Sequence, residues 1–189
     1  RQESIGTIEA EEFYKKALDV EPRSVYVNVK YGRFLVAIGR VGEGLRYLNI
    51  ATERCTRATG FFAYYNLAQA HDHFRDREQC ALALKQALTY NSTHVAARHM
   101  LGVALSRLGR FDEAIDIFDI LISEETSRVN GPTNTLVYAI KTKVISLKKA
   151  HRHAEAKITL EKGLLLLDSY PSIAYLKDDL LETALAYEI

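Results

Sequence analysis

The sequence is poor in residues that break helices or cross-link chains. Among its 189 residues there are three prolines, two cysteines and no tryptophan. Three prolines and ten glycines leave no room for a long disordered linker. Cys55 and Cys80 stand alone, without the spacing of a disulfide framework or a metal site. We therefore expect free thiols in a reducing, cytoplasmic compartment.

The chain also lacks an excess of charge and a long apolar run. Its net charge of +1 gives no general attraction to nucleic acid or to anionic lipid. The run Leu164–Leu167 ends at Asp168, far short of the ~20 residues that span a bilayer. Since 48% of the residues are hydrophobic, one soluble domain or repeat array can form a core. Because the chain begins at Arg1 rather than Met, we expect a fragment of a longer protein.

Motifs of catalysis and cofactor binding are missing as well. The segment GRVGEGLR (39–46) has neither the third glycine of a dinucleotide fingerprint nor a GK[ST] sequence. His71 and His73 stand two residues apart, and on a helix such side chains point about 200° away from each other. His151 and His153 flank a predicted turn, with no cysteine or acidic cluster beside them. We expect no enzyme activity, no metal site and no cofactor.

What the chain does contain is a recurring pattern of small residues. In four segments a small or medium residue is followed twelve positions later by another, and four positions further by a large apolar one. Antiparallel helices approach closely only where small side chains face each other, and large neighbours fill the adjoining volume. The paired positions are Gly32 with Gly44, Ala68 with Cys80, Gly102 with Ala114, and Val144 with Ala156.

This spacing resembles the tetratricopeptide repeat, a helix–turn–helix unit of about 34 residues. The stretch LGVALSRLGRFDEAIDIF (101–118) carries the resemblance most clearly. It implies an all-α fold: a right-handed α-solenoid of antiparallel helix pairs with a C-terminal capping helix. Over 1–189 we expect a single array with a partial repeat at 5–24, repeats at about 25–58, 61–94, 95–128 and 137–170, and a capping helix at 171–188.

The register also predicts individual helices and turns. Gly39 and Gly109 fall where a helix pair must turn. Pro171 suits the first turn of the last helix, whose apolar face holds Ile173, Leu176, Leu180, Ala184 and Tyr187. Helices are expected near 5–20, 24–38, 41–56, 61–74, 76–90, 95–108, 111–124, 135–150 and 152–167.

Four aromatic rings in the segment FFAYY (61–65) cannot all lie on one helix face. The register places Tyr64 in the core and Phe61 between repeats, with Phe62 and Tyr65 on the opposite side. In the tetratricopeptide family that side lines a concave face that binds peptides. The resemblance therefore implies partner contacts at Tyr26, Arg33, Phe62, Tyr65, Gln69, His99, Arg107 and Lys141. Their predicted neighbours are Val29, Val36, Asp72, His73, Val103, Ser106, Tyr138, Ile145, Lys148 and Lys149.

The resemblance implies a non-catalytic protein–protein interaction scaffold. It would bind a peptide or helix of a partner protein, and this ligand would carry apolar anchors with acidic flanks. It would not bind a membrane. The clamp that grips chaperone tails in this family is missing, since only Asn66 has a counterpart.

Three alternatives stay open. The chain could be a self-associating or autoinhibitory arm of a larger regulatory protein. The concave face could pack within the parent protein, against a missing repeat or the inserted loop 127–134. It could also bind RNA through a C-terminal basic stripe of Lys141, Lys143, Lys148, Lys149, Arg152, Lys157 and Lys162.

Overall fold

The computed structural model describes residues 5–187, which form two compact units that meet in the sequence between Ser92 and Thr93. All regular structure within these residues is helical. The first unit contains α1 (Ile5–Val20), α2 (Val25–Ala37), α3 (Val41–Arg54), α4 (Gly60–His73) and α5 (Arg77–Tyr90). The second contains α6 (Val95–Arg107), α7 (Phe111–Thr126), α8 (Asn134–Lys149), α9 (His153–Asp168), a 3₁₀ helix (Ala174–Leu176) and α10 (Lys177–Ala186).

The helices form the predicted antiparallel pairs. Helix α2 packs on α3, α4 on α5, α6 on α7, and α8 on α9. Three residues connect the members of each pair, at 38–40, 74–76, 108–110 and 150–152. The all-α fold of stacked helix pairs is confirmed. Among residues 5–187, every helix is too short or too polar to cross a lipid bilayer.

Each connecting turn has its middle residue in the left-handed backbone region. The φ angles are 89° at Gly39, 60° at Arg75, 79° at Gly109 and 59° at His151. The next residue donates its N–H to a carbonyl in the last turn of the preceding helix, as in Arg40 N to Leu35 O at 2.8 Å. This bond satisfies an end carbonyl of the helix and reverses the chain. The turns predicted at Gly39 and Gly109 are confirmed.

The small residues lie where paired helices touch. A Cβ atom placed on Gly32 would lie 2.8 Å from the carbonyl oxygen of Gly44, and one on Gly44 would lie 2.6 Å from that of Gly32. The backbones of α2 and α3 are therefore in direct contact. Leu48 is fully buried beside this crossing and fills the adjoining volume.

The crossing allows a test with two glycines of α3. We expect Gly44→Ala to lower the free energy of unfolding by about 1–3 kcal/mol, because the new methyl group would lie 2.6 Å from the carbonyl oxygen of Gly32 and 2.7 Å from Val36 Cγ2. The control is Gly42→Ala, where a Cβ would meet no atom within 4 Å. Alanine there should raise the free energy of unfolding by about 0.5 kcal/mol through its helix propensity. Urea unfolding followed by circular dichroism measures both. Equal effects of the two substitutions would contradict the close approach.

Helix α1 is fixed to the next pair by one buried carboxylate. Glu11 is only 8% exposed, yet it accepts hydrogen bonds from Tyr31 Oη at 3.0 Å and Arg40 Nη1 at 2.6 Å. Lys15 Nζ lies 2.8 Å from the same carboxylate. The hydrogen bonds from Lys15 and Arg40 lower the pKa of Glu11 from 4.5 to about 2. Burial and the bond to Glu11 raise the pKa of the Tyr31 hydroxyl.

This carboxylate predicts an acid-sensitive contribution to stability. Because the pKa of Glu11 falls from 4.5 to about 2 on folding, ionised Glu11 stabilises the unit above about pH 4.5 and loses that effect as the pH falls toward 2. We expect Glu11→Gln to lower the free energy of unfolding by about 1–3 kcal/mol at pH 7, and by less at pH 3. Its exposed neighbour provides the control, Glu12→Gln. Urea unfolding at both pH values measures the effect, and an equal loss at pH 7 and pH 3 would contradict it.

A second buried carboxylate holds the inserted loop after α7. Glu125, 2% exposed, accepts hydrogen bonds from the backbone N–H and the hydroxyl of Thr133, both at 2.7 Å. Arg128 Nη1 lies 3.1 Å from its other oxygen. Thr133 then caps α8, since its hydroxyl accepts a bond from Thr135 N. The predicted insertion is thus an ordered loop that positions the start of α8.

The last helix begins at Lys177, not at Pro171 as expected. Residues 171–176 form tight turns and the 3₁₀ helix, with i→i+3 bonds such as Ile173 N to Tyr170 O at 3.1 Å. Ile173 is 3% exposed within the core cluster of α8 and α9, and this anchoring requires the tighter path. Leu180 is fully buried in that cluster, with Leu176 and Ala184 packed against it. Four residues of the predicted apolar face therefore pack as expected.

Candidate functional site

In the first unit, helices α2 and α4 border a surface groove of about 510 Å³. We call it the first groove. It lies on the face of the two helices that the sequence assigned to partner contacts, and it includes two of the predicted residues. Its lining consists of Arg33, Val36, Ala37, Asn66, Gln69, Ala70 and His73.

The floor of the first groove is a polar side chain in a fixed position. Asn66 is buried and donates from Nδ2 to the backbone oxygen of Phe62 at 2.6 Å. Gln69 and Arg33 are exposed on either side. Arg33 makes no ion pair with any residue in the described range 5–187, and no Asp or Glu lines the groove. The groove is therefore rich in hydrogen-bond donors and carries uncompensated positive charge.

An aromatic pair lies at the N-terminal ends of the same two helices. The rings of Tyr26 and Phe62 stack at 5.8 Å with an interplanar angle of 16°. Lys30 Nζ lies 5.2 Å from the centre of the Tyr26 ring, within cation–π distance. Tyr26 is 62% exposed, so this pair presents apolar surface to solvent.

The other rings of FFAYY have partners within the first unit. Tyr64 is half-buried and stacks on Tyr90 of α5 at 5.9 Å, inside its own helix pair as the sequence predicted. Tyr65 stacks on Phe61, one turn earlier, at 5.3 Å. Both of these rings are half-buried, and Tyr65 is not part of the lining of the first groove.

In the second unit, α6 and α8 border a smaller groove of about 210 Å³, which we call the second groove. The predicted residue Arg107 is part of it, as are four of the predicted neighbours. Tyr187, which follows α10, also faces it. The lining is Val103, Ser106, Arg107, Thr142, Ile145, Lys149 and Tyr187.

Predicted residue His99 lies apart from the second groove. It lines a separate cavity of about 390 Å³ with Val95, Ala96, Thr135 and Tyr138. Its ring lies 5.9 Å from that of Phe118, and its Nε2 atom is buried without a hydrogen-bond partner in the described chain. Burial lowers the pKa of His99, so the imidazole is neutral at pH 7.

The predicted basic stripe is partly neutralised by ion pairs. Lys141, also a predicted partner contact, pairs with Asp179 of α10. Lys143 pairs with Asp119 of α7. Arg152 pairs with Asp112 and Glu155, and the bond to Glu155 raises the pKa of its guanidinium. Much of the stripe therefore stabilises contacts between helices.

Sequence reasoning missed several residues that line the grooves. His73 was expected on the concave side with Gln69, whereas Asn66 was noted only as a counterpart of a clamp residue. The helical spacing of Asn66 from Gln69 was a usable signal, because residues three apart share a face. Nothing in the sequence placed Tyr187 at the second groove, since that depends on how α10 docks.

Comparisons with known proteins agree with this architecture. The tetratricopeptide repeat model matches residues 63–94 and 95–122. A crystal structure of MamA is similar with a TM-score of 0.70 and 22% identity, covering 86% of this chain and 84% of that one. YrrB, described as a tetratricopeptide repeat protein with an unusual peptide-binding site, has a TM-score of 0.69 and 17% identity, covering 92% and 84%. No curated protein sequence matches this chain. The family model thus covers about a third of the chain, and the solved structures show that the chain has the fold of tetratricopeptide repeat proteins.

Proposed function

We propose that this chain is a non-catalytic scaffold that binds a peptide or helix of a partner protein in the first groove. The observation that carries the proposal is Arg33, which has no ion pair within residues 5–187 and lies in a groove that no carboxylate of those residues lines. An aromatic pair on the same two helices, in which Tyr26 is exposed and Phe62 half-buried, adds apolar surface. Such a combination of arginine and aromatic side chains is typical of interaction hot spots. The structurally similar YrrB, described as having a peptide-binding site, supports the same class of ligand.

The spacing of these features suggests what the ligand contains. Tyr26 precedes Arg33 by seven residues, and Phe62 precedes Gln69 by seven. Each aromatic residue therefore lies two helical turns from the polar residue, on the same face of its helix. Seven residues of helix span about 10 Å, which an extended peptide covers in about three residues. We propose a ligand with an apolar side chain over the aromatic pair and an acidic one at Arg33, about three positions apart.

The remaining predicted contacts extend this proposal. Tyr65 would contact the ligand through the edge of its stack with Phe61. His99 offers a neutral ring beside Tyr138, and Arg107 offers a guanidinium in the second groove. Lys141 could contact a ligand only together with its partner Asp179. The ion pairs of the basic stripe favour a protein ligand over RNA.

Selection from a displayed peptide library on the immobilised chain tests this proposal. We expect selected peptides to combine acidic and apolar residues, and Phe62→Ala and Arg33→Ala each to weaken their binding roughly tenfold in fluorescence anisotropy. The controls are Phe13→Ala, an equally large ring that is 71% exposed on α1, and Arg54→Ala at the exposed end of α3.

Both controls should bind as the wild type does. If Phe62→Ala and Arg33→Ala remain folded by circular dichroism and bind with unchanged affinity, the first groove is not the site. Light scattering of the unliganded chain separates the remaining alternative, because an arm that fills its groove with a second copy would be dimeric.

A further inference from the structure

The two grooves occupy equivalent positions in the repeats. In α2 the first groove is lined by the residues that follow Gly32 by one, four and five positions, which are Arg33, Val36 and Ala37. In α6 the second groove is lined by the residues that follow Gly102 by the same numbers of positions, which are Val103, Ser106 and Arg107. The partner helices agree too. Asn66, Gln69 and His73 surround Ala68 as Thr142, Ile145 and Lys149 surround Val144. Each unit thus carries its own copy of one groove.

The chemistry of the two copies differs. Where the first groove has the carboxamides of Asn66 and Gln69, the second has the hydroxyl of Thr142 and the apolar side chain of Ile145. Ser106, at the bottom of the second groove, lies 2.8 Å from the hydroxyl of Ser146, a buried link between α6 and α8. The second groove is also less than half the volume of the first, about 210 against 510 Å³.

Lys149 gives the second groove its charge. Its side chain is exposed and forms no ion pair or hydrogen bond with any other residue of the described range. Two other lysines of α8 differ, since Lys141 and Lys143 pair with Asp179 and Asp119. No carboxylate of residues 5–187 lines the groove, which also contains the guanidinium of Arg107. An uncompensated ammonium group beside hydroxyls and small apolar walls is complementary to one anionic side chain.

We propose that the second groove binds an anionic side chain of a peptide, a phosphorylated serine or threonine or an acidic residue, against Lys149. Apolar residues beside it in the peptide contact Val103 and Ile145. This inference rests on the proposed function, since it assumes that the ligand is a peptide. A phosphate carries between one and two negative charges at pH 7 and has three acceptor oxygens, so a phosphorylated residue binds more tightly than a carboxylate.

Nuclear magnetic resonance titration of the intact, ¹⁵N-labelled chain tests this assignment with three acetylated and amidated pentapeptides, Ala-Leu-X-Leu-Ala. Residue X is phosphoserine, glutamate or serine. We expect the phosphoserine peptide to shift amide signals of α6 and α8 saturably, with at least threefold higher affinity than the glutamate peptide. The serine peptide should cause no saturable shift. Higher salt should weaken the binding of both anionic peptides.

Two charge reversals provide the matched comparison. Lys149→Glu should abolish the saturable shifts. Lys157→Glu, the same change at an exposed lysine of α9 outside the groove, should leave them intact. Retained binding by Lys149→Glu, or no saturable shift of α6 and α8 with either anionic peptide, overturns the inference. Equal shifts of the same amides by a six-nucleotide oligouridylate, lost in Lys149→Glu, would assign the groove to nucleic acid and overturn it as well.

The outcome separates this inference from the proposed function. If library-selected peptides bind the first groove and the anionic pentapeptides shift neither α6 nor α8, the inference fails and the proposed function stands. If neither set of peptides binds either groove, both fail.

Discussion

Direct backbone contact between α2 and α3 determines the geometry of the first helix pair. Between α2 and α3, the Gly32 and Gly44 positions leave no space for a side chain on either helix. Such contact fixes which residues of α2 face α3, and helical periodicity then fixes which face the opposite side. Arg33 follows Gly32 directly, so it must point away from the crossing and toward the groove. The position of this proposed binding residue is therefore a consequence of a packing constraint.

The same constraint explains how much of the fold could be predicted. Small residues at fixed spacing placed each paired helix within two residues of its observed ends, as for α3, expected at 41–56 and found at Val41–Arg54. Glycine marked two of the four turns. The other two have Arg75 and His151 in the same left-handed conformation, which costs energy for residues other than glycine. Packing of the helix pairs imposes that conformation. The contacts between the paired helices offset its energetic cost.

The helix face on which a side chain lies could be predicted from the sequence. The register placed Arg33, Gln69, Arg107 and Lys149 on the faces that line the two grooves. It could not predict interactions between elements distant in sequence. Lys141 has the expected direction, yet Asp179 from α10 neutralises it. Helical periodicity carries no information on where a terminal helix docks, and so none on which surface charges find partners.

Groove chemistry and stability can vary independently in this architecture. Arg33, Gln69 and Lys149 are exposed, whereas the crossings depend on buried residues such as Leu48. Exposed substitutions away from caps and ion pairs usually change stability by less than about 0.5 kcal/mol. Replacing a charged side chain that has no ion pair within the described fold removes no stabilising contact. Burying such a charge under a ligand is favourable only when the ligand supplies the opposite charge. Equivalent positions in successive repeats can therefore acquire different ligand preferences on one unchanged framework.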